Sequence, residues 1–300
     1  MDKLLKIGFK NIPVRLILVD LSHTWLQVKE NNKEFMPAHD LLAQVLAASS
    51  LLMSNIKLIG SVSLQIRTNN HNLTMLLAEC NSNFGVRGVV NLKDSSNLDL
   101  SNMDSAHFIV NILPKNKDLA PYQGIIPLYI GENGFDMQQA ISSYMQNSEQ
   151  IDTKIWLANN QEKSVGILLQ KIPIEGGYNQ DLEEDWSTIS QLTQTIRPKE
   201  MLEWDLLTIV TQLFDEYIKQ DKVLILEEHN MHFFCSCTKE KAINALRIAI
   251  KDGFDSNFFE TNDNINVDCE FCNKKYSFNM QEYDRIASSE TNINVSGNIH

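Results

Sequence analysis

The chain predicts an α+β fold: an N-terminal domain of mixed sheet and helix, a helical linker and a small C-terminal module. Three observations carry this reading. Several short runs alternate apolar with polar residues, as half-buried strands do. Few helical stretches separate those runs, which favours a largely antiparallel sheet. Four of the five cysteines fall in the last quarter of the sequence.

The elements follow in order. "PAHDLLAQVLAASSLLMS" (37–54) places Leu41, Val45, Ala48 and Leu52 on one helical face, with Leu42, Leu46 and Met53 beside it. Pro37 and Asp40 supply a start signal. In "IGSVSLQIR" (59–67), Val62, Leu64 and Ile66 alternate with Ser61, Ser63, Gln65 and Arg67, the period of a half-buried strand. "AHFIVNIL" (106–113) and "VGILLQKI" (165–172) read as further strands, the second apolar enough to be central. "DMQQAISSYMQNSEQ" (136–150) reads as a helix between strands.

Paired glycines in "IEGGYNQ" (174–180) break the pattern. From Asp181 to about Gln220 the period is helical. Leu182, Trp186, Ile189 and Leu192 form one stripe; Leu202, Leu206, Ile209 and Leu213 form another. Between Gly176 and Asn230 stand 12 Asp/Glu and 4 Lys/Arg, a net of −8 within a chain total of −12. One reading is a solvated helical face. The other is a segment of marginal stability, whose self-repulsion offsets its limited apolar burial. The expected division is therefore residues 1–175 as the N-terminal α+β domain, 176–230 as an acidic helical linker and 231–300 as the C-terminal module. The polar end, "RIASSETNINVSGNIH" (285–300), is expected to fray.

Composition narrows the function. With 43% hydrophobic and 21% charged residues the chain can bury a full core. Its 38 acidic and 26 basic residues argue against a grip on phosphate backbones. The first residues lack a signal-peptide core, and no stretch reaches the roughly 18 uninterrupted apolar residues of a membrane span. The expectation is a cytoplasmic protein without nucleic-acid or membrane partners. In that compartment thiols stay reduced, so close cysteines point to metal or redox chemistry.

The cysteines form the pattern Cys235-x-Cys237, 31 residues, Cys269-x-x-Cys272. Two close pairs of thiolates suit one tetrahedral zinc ion. Thr238 is a plausible N-cap, and "KEKAINALRIAI" then runs as a helix with Ile243, Leu246 and Ile250 on one face. Cys237 thus sits at a helix N-terminus near Lys239 and Lys241, which should lower its thiol pKa. "INVDCEFCNKKYSFN" reads as strand, metal turn, strand. So small a module should need its metal to fold. His229 and His232 lie nearby but read as bystanders, because four cysteines already complete a shell. A bridge across Cys-x-Cys would be strained and hence reducible, which favours a reversible switch over a permanent staple. Cys80 stands apart and reads as a small buried hydrophobe.

These residues resemble the 33 kDa chaperonin family, redox-regulated holdases of bacteria. "FFCSCTKEKAINAL" and "VDCEFCNKKYSFN" look like its CxC and CxxC zinc motifs. "VRGVV" (86–90), "PYQGIIPL" (121–128), "YMQNSEQ" (144–150) and "GILLQKIP" (166–173) are similar to its N-terminal signatures. The resemblance spans the chain in order. It implies one zinc per chain held by Cys235, Cys237, Cys269 and Cys272 in a reduced, poorly active monomer. It further implies that oxidation makes Cys235–Cys237 and Cys269–Cys272 disulfides, expels zinc, unfolds module and linker, and yields a homodimer that binds unfolding client proteins. The family often has Gly after the last cysteine; here it is Asn273, which tolerates a left-handed backbone. Arg87 and Gly88 read as fold-determining, and Glu149 as a structural hydrogen-bonding group.

Two other functions compete. One is a zinc-ribbon binding module for nucleic acid or protein without redox switching; the acidic residues among "CNKKY" and "CTKEK" weigh against it. The other is a thiol–disulfide oxidoreductase using Cys269 and Cys272, which would want a strand and a helix around the pair. No phosphate-binding glycine loop, nucleophile elbow or HExxH occurs, so no enzyme is expected.

Overall fold

A computed structural model describes residues 1–68, 72–95, 98, 106–128, 130–131, 134–173, 180–260 and 263–291. The glycine break at 174–179 and the tail from 292 lie outside these residues, as does the Leu182 side chain. The chain forms two compact units, Met1–Phe234 and Cys235–His300.

The first unit opens with a hairpin, β1 (Lys3–Phe9) and β2 (Ile12–Asp20), and the helices α1 (Ser22–Asn31) and α2 (His39–Met53). Strands β3 (Gly60–Arg67), β4 (Leu73–Asn81), β5 (Gly85–Leu92), β6 (His107–Pro114) and β7 (Tyr122–Pro127) follow. Next come a ribbon of β8 (Ile130–Gly131) and β9 (Gly134–Phe135), α3 (Met137–Tyr144), β10 (Thr153–Asn159) and β11 (Ser164–Lys171). Helices α4 (Gln180–Gln194), α5 (Pro198–Glu203) and α6 (Leu206–Lys219) lead to β12 (Val223–Asn230) and β13 (His232–Phe233). Two sheets result, ordered β10-β11-β2-β1-β12 and β13-β5-β4-β3-β6-β7. All pairings are antiparallel except the parallel one of β13 with β5.

Helix α2 is enclosed by both sheets. It is apolar on nearly every face, and its Ser49 and Ser50 hydroxyls return hydrogen bonds to the Leu46 carbonyl (2.9 and 3.0 Å). Its side chains join Leu4, Ile17, Val19 and Leu168 from one sheet and Leu64, Leu76, Val90 and Phe108 from the other in an inner core. Gly88 reads correctly as fold-determining: a Cβ there would stand 3.0 Å from Leu42 and Leu46 of α2. Its neighbour Arg87 is paired to Glu79 across the β4–β5 register, and Glu149 accepts from the Tyr144 hydroxyl. Ser61 and Ser63 are buried because β3 is interior, rather than half-buried as the alternation suggests. The Ser63 hydroxyl accepts from the Asn111 amide (3.2 Å).

Strands β1, β2 and β11 are buried on both faces, which is why their sequences run nearly without polar interruption. Their second face (Leu5, Ile7, Leu16, Leu18, Ile167, Leu169) forms an outer core with Ile189 of α4, Met201 of α5 and Ile209, Val210, Leu213 and Phe214 of α6.

The expected linker therefore differs from the structure in three ways. Its helices pack within the first unit instead of standing between domains. The second helical stripe is broken at Trp204, and Asp205 caps a new helix through the Thr208 N–H (2.9 Å). Residues 223–230 are strand rather than linker: Asp221, at φ 54°, turns the chain, and β12 pairs with β1. Its charges are also answered, since Glu183, Asp221, Glu227 and Glu228 pair with Lys171, Lys10, Lys6 and Lys3 of the sheet.

The second unit holds α7 (Lys239–Lys251), the hairpin β14 (Ile265–Asp268) and β15 (Lys275–Phe278), and α8 (Met280–Thr291). Its core is small: Ala242, Leu246, Ile265, Phe278, Tyr283 and Ile286. The segment expected to fray is helical as far as Thr291, because Tyr283 and Ile286 bury one face of α8.

Candidate metal centre

Each cysteine pair is placed by a local hydrogen-bonding device. After Cys237, the Thr238 hydroxyl caps α7 by accepting the Lys241 N–H (3.3 Å). On the other side, the β14–β15 hairpin closes through Cys269 N–H donating to the Lys274 carbonyl (2.9 Å). The Cys269 carbonyl in turn accepts from the Cys272 and Asn273 N–H groups (3.3 and 2.8 Å). Asn273 takes φ 56°, the left-handed geometry that the turn demands and that Asn tolerates.

The four sulfurs lie within 4.8 Å of one another. Cys235 Sγ stands 3.6 Å from Cys269 Sγ, and Cys237 Sγ 3.4 Å from Cys272 Sγ. A tetrahedron with metal–sulfur bonds of ~2.3 Å has edges of roughly 3.8 Å, so the donor set fits a zinc ion. His229 and His232 do not join the cluster: His229 stacks on Phe84 (4.0 Å) and bonds Glu227, and His232 lies in β13. Cys80 is fully buried in β4, where burial raises its thiol pKa.

The electrostatics of the free thiols make the case for a cation. Cys237 is held down to about 7, first by the Tyr276 hydroxyl, which donates to its sulfur (3.3 Å). Tyr276 is correspondingly pushed up to about 12 by that sulfur. Burial pushes Cys235 and Cys272 upward, and a neighbouring sulfur adds to the rise at each. The Cys237 thiolate is thus favoured, while at Cys235 and Cys272 burial first and a neighbouring sulfur second oppose the charged form. A dication would reverse that opposition.

The sequence indicates the right direction for Cys237 but the wrong leading cause. Lys239 is engaged by Glu282 (2.7 Å) and Lys241 by the Ser236 hydroxyl (2.9 Å). Tyr276 is the residue that sequence reasoning misses; its only signal is a phenol in the strand leaving the Cys-x-x-Cys turn, paired with Val267. A hydrogen bond to a charged group is worth about 1.5–3 kcal/mol, so Tyr276→Phe should weaken metal retention roughly 10- to 100-fold at pH 7. The Cys237 thiol ionises in alkali with or without the phenol, so the deficit should vanish at high pH, grow as pH falls toward 7 and level off below it. A chelator-competition titration of the full chain at several pH values checks both.

A two-sheet domain wrapped on a buried helix, followed by a small module whose four clustered cysteines could hold a metal ion, defines a two-unit protein with a candidate metal centre. Comparison with known proteins makes the class specific. The model of the Hsp33 protein family matches residues 2–279. A 33 kDa chaperonin of Methylobacillus flagellatus is 31% identical, over 96% of this chain and 95% of its own length. One from Pseudomonas syringae is 30% identical, over 91% and 89%. The crystal structure of a 33 kDa chaperonin from Thermotoga maritima superimposes with a TM-score of 0.76, at 19% identity, over 97% of this chain and 99% of that one. The chain belongs to the Hsp33 family of chaperones.

Proposed function

We propose that the chain is a redox-regulated holdase of the cytoplasm. In this reading Cys235, Cys237, Cys269 and Cys272 hold one zinc ion in the reduced state, and the ion supplies folding energy to the second unit. Oxidation joins Cys235 to Cys237 and Cys269 to Cys272. As each bond forms, two thiolates lose two electrons; with two protons from solvent these reduce one peroxide to two waters. No thiolate then remains to bind metal, and the second unit loses its fold. The covalent chain is freed at Cys235, and α4–α6 come away from the sheet. The apolar face they cover, with Leu5, Ile7, Leu16, Leu18, Ile167 and Leu169, becomes a surface for unfolding client proteins and for a second oxidised copy.

The observation that carries the proposal is the cluster of four sulfurs in a unit with so little core of its own. The acidity of the chain speaks against nucleic acid as a partner. The test measures zinc release and thiol loss together during peroxide treatment, while light scattering follows a heat-unfolding client. The expected result is one zinc lost per four thiols, rising with client protection. Zinc that stays bound while the thiols oxidise, or leaves without any gain in protection, overturns the reading.

A further inference from the structure

The four residues before the first metal ligand are built into the edge of the six-stranded sheet. Met231 is buried in the inner core, and its N–H donates to the Asp2 carbonyl (3.0 Å). The His232 and Phe234 N–H groups donate to the Phe84 and Val86 carbonyls (3.2 and 3.0 Å), making β13 a parallel strand on β5. The remainder of that edge is masked by one side chain. Asn32 accepts the Val90 N–H (3.1 Å) and donates to the Gly88 carbonyl (3.2 Å), as a neighbouring strand would. Asn32 thus closes the edge at Gly88 and Val90, and β13 occupies it at Phe84 and Val86.

Two features mark this stretch as a subsite. Gly85 has a bare face that Phe234 covers: a Cβ built on Gly85 would stand 2.6 Å from the Phe234 Cβ. Phe84 holds a left-handed backbone, φ 59°, which is unusual for a bulky residue. It is kept there by its N–H on the Asn81 carbonyl (2.8 Å), by the His232 N–H on its own carbonyl and by the His229 ring. Much of that support comes from the chain segment that ends at Cys235.

We propose that Met231–Phe234 is an internal occupant of a client subsite on the Phe84–Val86 edge. The subsite takes an extended segment that carries an aromatic residue over Gly85. The segment vacates it when the chain beyond Cys235 unfolds. Carbonyls 84 and 86 offer the backbone pairing, and Gly85 offers the space for a ring. This deepens the holdase reading and rests on it for the event that frees the segment.

The test uses two variants of the full chain, reduced and zinc-loaded. Phe234→Ala removes the ring and so loosens the occupant, leaving the ring's place over Gly85 free. Gly85→Ala displaces the occupant and fills the subsite. Both should speed hydrogen exchange at the backbone amides of positions 232 and 234 at least ten-fold. Phe234→Ala alone should gain binding of a labelled extended peptide rich in Phe. A merely destabilised sheet edge would make the two variants alike, so equal binding overturns the subsite, as does exchange that stays slow in both. In oxidised wild type, zinc loss with amides 232 and 234 still protected sinks the subsite and leaves the switch standing. Zinc retention on oxidation sinks the switch, and the reduced variants still decide the subsite.

Discussion

Cys269→Ser should leave the second unit unfolded at neutral pH while the inner core of the first unit, α2 between its two sheets, stays folded. Among the described residues the unit buries six side chains, with a few partly buried ones packed on them, to order α7, a short hairpin and α8, which is too little core for independent stability. Structural zinc contributes about 10–16 kcal/mol to such modules. Serine keeps the backbone N–H and carbonyl of position 269 that close the hairpin, so the substitution removes a ligand and spares the turn. The expected readouts are less than a tenth of an equivalent of zinc after desalting and near-complete loss of amide protection across Lys239–Lys251. Cys80→Ser is the control: its sulfur is buried in β4, outside the cluster, and zinc content should not change. A Cys269→Ser chain that keeps α7 protected would show that the unit folds without its metal and would remove the switch's driving force.

Phe214→Ala should activate the reduced, zinc-loaded protein. Phe214 is fully buried in the outer core and meets Phe9 edge-on at 5.1 Å and Tyr217 at 6.3 Å. Truncating such a ring costs about 3–5 kcal/mol. The loss falls on α6, already kinked at this residue, and on its seat against the sheet. Among the described residues the inner core shares no side chain with α4–α6, so opening should be confined to the outer layer. The expected result is client protection without oxidant and faster exchange across 206–219, with zinc retained. Leu46→Ala is the matched comparison. It costs about 2–5 kcal/mol in the inner core and should lower the melting temperature without conferring protection. If the two variants protect equally well, general destabilisation accounts for activity and the outer face has no special role.

How far the sequence can be read follows from which forces act locally. Helix α2 and strands β3, β6 and β11 are legible because their apolar period is set by the nearest layer. The metal centre is legible because cysteine spacing is itself the chemistry. Strand β12 is not, because "EEHN" and the surrounding acidity hide "VLIL", and its partner β1 lies more than two hundred residues away. Three of the lysines that answer the segment's charge, Lys3, Lys6 and Lys10, are just as remote, so its net of −8 overstates its self-repulsion. The break at Trp204 does leave a local sign, the Asp205 cap, which an unbroken apolar stripe outweighs. Strand β13 is two residues long and has no period to detect. The role of Tyr276 exists only once the hairpin and the first cysteine pair have met.

The sharing of one sheet between two cores has a kinetic consequence. Closing after an episode of stress need not be folding anew: β1, β2 and β11 would persist, held from behind by α2, and present a finished template. Three short helices with local contacts then have only to form and dock, which belongs to microseconds or milliseconds rather than minutes. Disulfide reduction, which takes seconds to hours, is accordingly expected to set the pace of recovery. The time for which the open state lasts would then be governed by the reductant in its surroundings and hardly at all by the protein's own folding rate.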